Sequence, residues 1–145
     1  MRALVQRVSR ASVLVDAEVV GEVGAGLCVF VGITHGDGPD EADRLAGRLA
    51  GLRIMDDAAG VMNLSVSEVA GEVLVVSQFT LYGDTTRGRR PGWSAAAGPD
   101  HAEPLVELVV AGLRERGLTV ATGRFRADMV VEITNVGPAT LMLEV

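Results

Sequence analysis

The sequence predicts an α+β fold: a mixed, layered domain with an antiparallel-rich sheet and two main helices. Three observations predict it. Stretches that alternate with period two, or run continuously apolar for strand lengths, outnumber helical ones. Turn residues join neighbouring strands as hairpins. Only two segments switch to helical spacing. The 145 residues form a single domain, 1–145, long enough to bury about two-thirds of the surface the unfolded chain exposes.

Taken in order, "RALVQRV" alternates, with Ala3, Val5 and Arg7 on one face and Leu4 and Val8 nearer the other. "SVLVDAEVVGEV" reads as two short strands around Asp16-Ala17. "GLCVFVGI" is a continuous apolar strand, expected to be buried on both faces. In "GDGPDEADRLAGRLAGLR", Ala42, Leu45, Ala46, Leu49 and Leu52 fall at helical spacing, behind Pro39 in the first turn and acids at the N-terminal end. "GEVLVVSQF" returns to strand. From Thr80 to Pro99 the chain is rich in Gly, Pro, Thr and Arg without periodicity, a loop of about 20 residues, and loops that long are usually functional or disordered. Leu105, Leu108, Val109, Gly112 and Leu113 mark a second helix, closed by Gly117. Three strands follow, "LTVATG", "DMVVEIT" and "ATLMLEV". The expected order is β-β-β-α-β, long loop, α-β-β-β.

Composition narrows the function. A hydrophobic content of 48% with mean hydropathy +0.32 points to a thorough core or to apolar surface shared with a second copy. No apolar run reaches the ~20 residues of a membrane span, and "MRALVQRVSR" lacks a signal peptide's apolar stretch; a cytoplasmic protein is expected. The single cysteine, Cys28, reads as a buried, inert thiol. A formal charge of −6, from 13 basic and 19 acidic residues, argues against broad coating of nucleic acid, which requires many phosphates to be neutralised. All the basic residues are Arg, and Arg87, Arg89 and Arg90 cluster in "TTRGRRPG". His35 and His101 show no metal-ligand spacing, so neither metal nor cofactor is expected.

Two stretches carry chemistry. In "SQFTLYGD", Ser77, Gln78, Thr80 and Tyr82 place polar groups at the end of an apolar strand. Such an end exposes backbone N–H donors of the kind that stabilise an oxyanion, and the arginines that follow suit a phosphate or carboxylate. The other stretch is "TNVGPATLMLEV", where Gly137-Pro138 interrupts two apolar runs. Proline cannot donate to a ladder and is foreign to a central strand. Either the chain turns there, or the backbone is shaped for a purpose.

"MRALVQRVSRASV", "SQFTLYGDTTRGRRP", "GRFRADM" and "NVGPAT" together resemble the D-aminoacyl-tRNA deacylase family, from the first residue to the last. The resemblance implies a cytoplasmic homodimer, barrel-like in assembly, that hydrolyses the ester between a D-amino acid, or glycine, and the 3′-terminal adenosine of tRNA. It implies that Ser77, Gln78, Phe79 and Thr80 form one catalytic wall, with backbone N–H groups near Phe79 and Thr80 holding the ester carbonyl. Gly137 and Pro138 match the family's Gly-cis-Pro motif, which enters the partner's pocket and rejects L substrates. Arg7 matches the residue bracing that motif. Phe125 and Met129 match the adenine pocket, and Arg87, Arg89 and Arg90 are assigned to tRNA contact. The attacking group is water assisted by the ribose 2′-hydroxyl, with Thr80 as the competing nucleophile. The chain departs from the pattern at Ala139 for Val, Arg126 for Gly, Gly83 for Ala and Trp93 for Phe. Two other readings compete: a serine-type hydrolase of small esters using Ser77, and a non-catalytic dimeric module that binds RNA ends or D-configured ligands.

Overall fold

In the computed structural model, which describes residues 1–145, the alternating N-terminal residues form one unbroken strand, β1 (Arg2–Val15). "RALVQRV" and "SVLV", read as separate stretches in the sequence, lie in this one strand: across their junction Val8, Ala11 and Ser12 pair on both sides, and Arg7 and Arg10 on one. Asp16 and Ala17, at φ 49° and 65°, make the tight hairpin that right-twisted strands require and lead into β2 (Glu18–Val23). In β3 (Gly26–Gly32), Leu27, Cys28, Val29 and Val31 are wholly buried, as a continuous apolar run demands. Burial pushes the Cys28 thiol up to about 12, so the reactive thiolate is absent at neutral pH.

Helix α1 (Pro39–Ala50) opens on proline, and the Glu41 carboxylate accepts from the Gly38 N–H at 2.8 Å. Ala42, Leu45, Ala46 and Leu49 form its buried stripe. Leu52 is not part of the helix: Gly51 caps it, and Leu52 packs half-buried beyond the cap. A small hairpin unread in the sequence, β4 (Met55–Asp56) with β5 (Met62–Leu64), precedes β6 (Glu72–Ser77). The long loop begins with an unforeseen 3₁₀ turn, Phe79–Tyr82. Helix α2 (Pro99–Glu115) buries Leu105, Val109, Gly112 and Leu113, whereas Leu108, at the stripe's edge, is 42% exposed. A Cβ at Gly112 would stand 2.9 Å from that of Ala46, so glycine lets the helices touch. Gly117, at φ 85°, ends α2 as expected. β7 (Thr119–Thr122) and β8 (Val130–Glu144) complete the chain.

The sheet runs β2-β1-β3-β6-β7, with β8 on the free side of β1. β3, β6 and β7 are parallel, and β1 is antiparallel to β2, β3 and β8. Gly21 of β2 lies directly against the Thr122 carbonyl of β7, which draws the sheet nearly closed like a barrel. The main core lies between the sheet and both helices. A smaller core of Val8, Ala11, Val13, Val23, Cys28, Leu74 and Val76 fills the other face. No helix is long and apolar enough to cross a membrane.

The two last strands expected from sequence are one. β8 runs through Gly137-Pro138 by bulging: Asn135 pairs with Val8 and Thr140 with Gln6, so residues 136–139 stand opposite Arg7 alone. Within a bulge no ladder donor is required, and proline is tolerated. The Gly137-Pro138 peptide is cis. Ala139 is 4% exposed and joins the main core.

Candidate active site

β6 carries its apolar residues inward as far as Val76 and ends on the half-buried Ser77. The Gln78 N–H donates to the Val31 carbonyl at 2.7 Å, and the 3₁₀ turn starts immediately. Arg2 pins that turn, donating to the Leu81 carbonyl at 3.0 Å and lying 4.6 Å from the centre of the Tyr82 ring. Desolvation and, secondarily, Asp37 push the Tyr82 phenol up to about 12. A 3₁₀ turn leaves its leading amides without partners inside the turn. The leading amides here belong to Phe79 and Thr80.

These residues border a cleft of ≈ 670 Å³. Ser77, Gln78 and Phe79 line it together with Phe125 and Met129, and with Trp93 and Ala96 from the long loop. Thr80 stands just outside the lining, and the Gln78 side-chain amide donates to its hydroxyl. The Ser77 hydroxyl makes no hydrogen bond. Neither histidine shares the cleft: His35 and His101 meet the carbonyls of Ser94 and Asp37 at 2.8 and 2.9 Å and tie loops together. A Ser-His pair is therefore not assembled.

Sequence reasoning marked the long loop but not which of its residues enter the cleft, since Trp93 and Ala96 have no periodicity to reveal them. Trp93 packs edge-on to Phe79, ring centres 5.4 Å apart. A Cβ at Gly83 would lie 2.8 Å from the Trp93 ring, so the two positions make a single adjustment: with no side chain at Gly83, the indole has room. Arg87, Arg89 and Arg90 are exposed at the tip of this loop, outside the cleft lining and without ion pairs. Asp84 and Gly92 close the tip with paired backbone hydrogen bonds of 2.8 Å. The Thr86 hydroxyl and amide hold the Asp84 carboxyl below its ordinary range.

The far wall comes from a turn. The Ala127 N–H donates to the Arg124 carbonyl at 3.2 Å, with Phe125 and Arg126 between them and Arg126 at φ 62°. That conformation is free to glycine and costs other residues about 1 kcal/mol. Arg126→Gly is therefore expected to stabilise the fold by about 1 kcal/mol in chemical denaturation.

Gly137 and Pro138 do not line this cleft. They belong to a separate construction centred on Arg7, which is only 6% exposed. Its guanidinium donates to the carbonyls of Val136 at 3.2 Å, Gly137 at 3.1 Å and Ile54 at 2.9 Å, and to the Asp56 carboxylate at 2.8 Å. The Gly-Pro corner is thus gripped from beneath and exposed above. Beside it, β8 pairs on one edge only and shows Val130, Val136 and Met142 to solvent, while β5 and its turn show Val61 and Met62.

The family described as D-Tyr-tRNA(Tyr) deacylase matches residues 4–144. The chain is 60% identical over 144 residues to the D-aminoacyl-tRNA deacylase of Heliobacterium modesticaldum, covering 99% of this chain and 96% of that one. It is 59% identical over 144 residues to the protein of the same name from Anaeromyxobacter dehalogenans, covering 99% and 97%. Among solved structures, one described as c-Myc DNA Unwinding Element Binding Protein superposes with TM-score 0.94 at 36% identity, covering 100% of this chain and 99% of that one. A probable eukaryotic D-amino acid tRNA deacylase shares the fold with TM-score 0.87 at 16% identity, covering 99% and 98%. With a family match along nearly its whole length and relatives this similar, the chain belongs to the D-Tyr-tRNA(Tyr) deacylase family.

Proposed function

We propose that the protein hydrolyses the ester of D-aminoacyl-tRNA in the cytoplasm, as a homodimer in which each copy completes the other's site. The observation that carries this reading is the grip of Arg7 on the Val136 and Gly137 carbonyls, which fixes an exposed main-chain corner that takes no part in lining its own cleft. The exposed run of β8 lies between that corner and the 3₁₀ turn: Met142 pairs with Leu4, two residues from the Arg2 that holds the turn. A two-fold axis through this run makes an isologous interface and lays each corner over the other copy's cleft. It also covers a strand edge that would otherwise invite aggregation.

In the completed site the terminal adenosine lies against Phe125 and Met129, and the ester carbonyl receives the amides of Phe79 and Thr80. A water assisted by the ribose 2′-hydroxyl attacks. An aminoacyl ester is already activated, and one oxyanion donor contributes on the order of 10²–10³ in rate. A carbonyl of the partner's corner accepts from the substrate ammonium, and the corner's backbone fills the space an L side chain needs. Selection works by exclusion, so D residues and glycine pass. Arg87, Arg89 and Arg90 contact the tRNA backbone, and with so few phosphates touched the net negative charge is tolerable.

The purified protein is expected to release D-tyrosine from D-Tyr-tRNA, and glycine from Gly-tRNA, while sparing L-Tyr-tRNA; equal D and L rates would refute selection. Ser77→Ala is expected to retain turnover within about tenfold of the wild type. Loss of an activated serine nucleophile costs up to about 10⁶, so abolished turnover would restore the serine-hydrolase reading.

A further inference from the structure

Phe125 is a divide. It lines the cleft and also a second hollow of ≈ 540 Å³ between α2 and the end of β7, and the two spaces share Ser77 and Phe125. Arg124 opens onto the second hollow and Arg126 onto the cleft. Both guanidiniums are exposed and make neither hydrogen bond nor ion pair. The other arginine of the hollow, Arg114, is engaged with the Val120 carbonyl at 3.0 Å. The free cations therefore flank the aromatic ridge.

An aromatic face between unpaired cations is the pattern by which proteins hold single-stranded nucleic acid, with bases stacking on rings while the backbone is tracked by charge. We propose that the second hollow is a subsite for the penultimate nucleotide of a single-stranded RNA 3′ end. The terminal base lies on the cleft side of Phe125, the preceding base on the other, and Arg124 and Arg126 hold the phosphodiester that crosses between them. The assignment rests on the function proposed above for the cleft.

The lining also distinguishes between the pyrimidines. Glu103 and Glu107 of α2 face the same hollow. Their carboxylates repel a phosphate, which keeps it on the arginine rim, and they accept from an exocyclic amino group. Cytosine presents such a donor at N4; uracil has a carbonyl at that position. The subsite thus fits the penultimate cytidine of a CCA end. Arg126 bears on the same point: at φ 62° it occupies backbone that glycine adopts freely, and the result is a guanidinium at the rim.

Binding of unesterified ligands, followed by Trp93 fluorescence, tests the subsite independently of hydrolysis. The expected order of affinity is cytidylyl-adenosine above uridylyl-adenosine above adenosine, with about tenfold between the first and last, equivalent to roughly 1.4 kcal/mol. Arg124→Ala and Arg126→Gly remove the phosphate contact. Ala111→Leu, on an exposed position of α2 that lines the hollow, fills it with a good helix former. Each variant is expected to shrink the gain over adenosine to about threefold or less. Equal affinity for cytidylyl-adenosine and either comparison ligand, or variants that keep the full gain, would overturn the subsite. Failure of D-Tyr-tRNA hydrolysis alongside the expected binding order would instead strike only the deacylase reading.

Discussion

Arg7→Ala is expected to lower stability by about 3 kcal/mol and to collapse discrimination between D- and L-Tyr-tRNA. The stability loss follows from what the guanidinium satisfies. Removing it strips the Ile54 carbonyl of a buried donor, and an orphaned buried acceptor costs about 1–3 kcal/mol. It also takes a donor from each of the Val136 and Gly137 carbonyls and the ion partner from Asp56, whose side chain is 49% exposed. Solvent screening makes that last loss the smallest. Selectivity fails for a different reason: residues 136–139 have no ladder partners to hold them once Arg7 is gone. Arg7→Lys is expected to fail nearly as fully, because a point charge cannot reach four acceptors with the geometry of a planar fork. Urea denaturation and paired D and L hydrolysis rates check both halves. A variant that is destabilised yet fully selective would reduce Arg7 to a structural brace.

Met142→Asp is expected to leave the monomer's fold intact and to lower deacylation at least 100-fold. In the single chain Met142 is 45% exposed, and surface changes of this kind stay within about ±0.5 kcal/mol. In an isologous contact the same carboxylate meets its own copy across the axis, so it is desolvated and repelled at once. Light scattering reports the mass, circular dichroism the fold, and D-Tyr-tRNA hydrolysis the consequence. A folded monomer with full activity would show that one chain holds a complete site.

What could be read from the sequence divides along physical lines. The stripe of α1, the buried run of β3 and the hairpin at Asp16-Ala17 were legible because periodicity and turn residues are local signals. The merging of "RALVQRV" with "SVLV", and of the last two strands through Gly137-Pro138, was not. Continuity there depends on what β1 finds on either side, which is a property of the sheet. Pro138 signalled an interruption correctly; that it marks a bulge and not a chain reversal is decided by Arg7, about 130 residues away. The wall from Ser77 to Phe79 and the turn bearing Phe125 came from family resemblance, and the structure gathers them around one cleft with Met129. Trp93, Ala96, Ile54 and Asp56 were unreadable, since they act through non-local contacts. The adjustment between Gly83 and Trp93 becomes intelligible only when the two are seen touching.

The central claim is that a main-chain corner of one copy reads the handedness of the substrate held by the other. The most direct measurement is a structure of the protein with a non-hydrolysable D-tyrosyl-adenosine amide. The expected result is adenine against Phe125 and Met129, with the α-ammonium within hydrogen-bonding distance of a carbonyl of the partner's Gly137-Pro138 corner. A ligand bound in the cleft with that corner turned to solvent, or no second copy over the cleft, would contradict it.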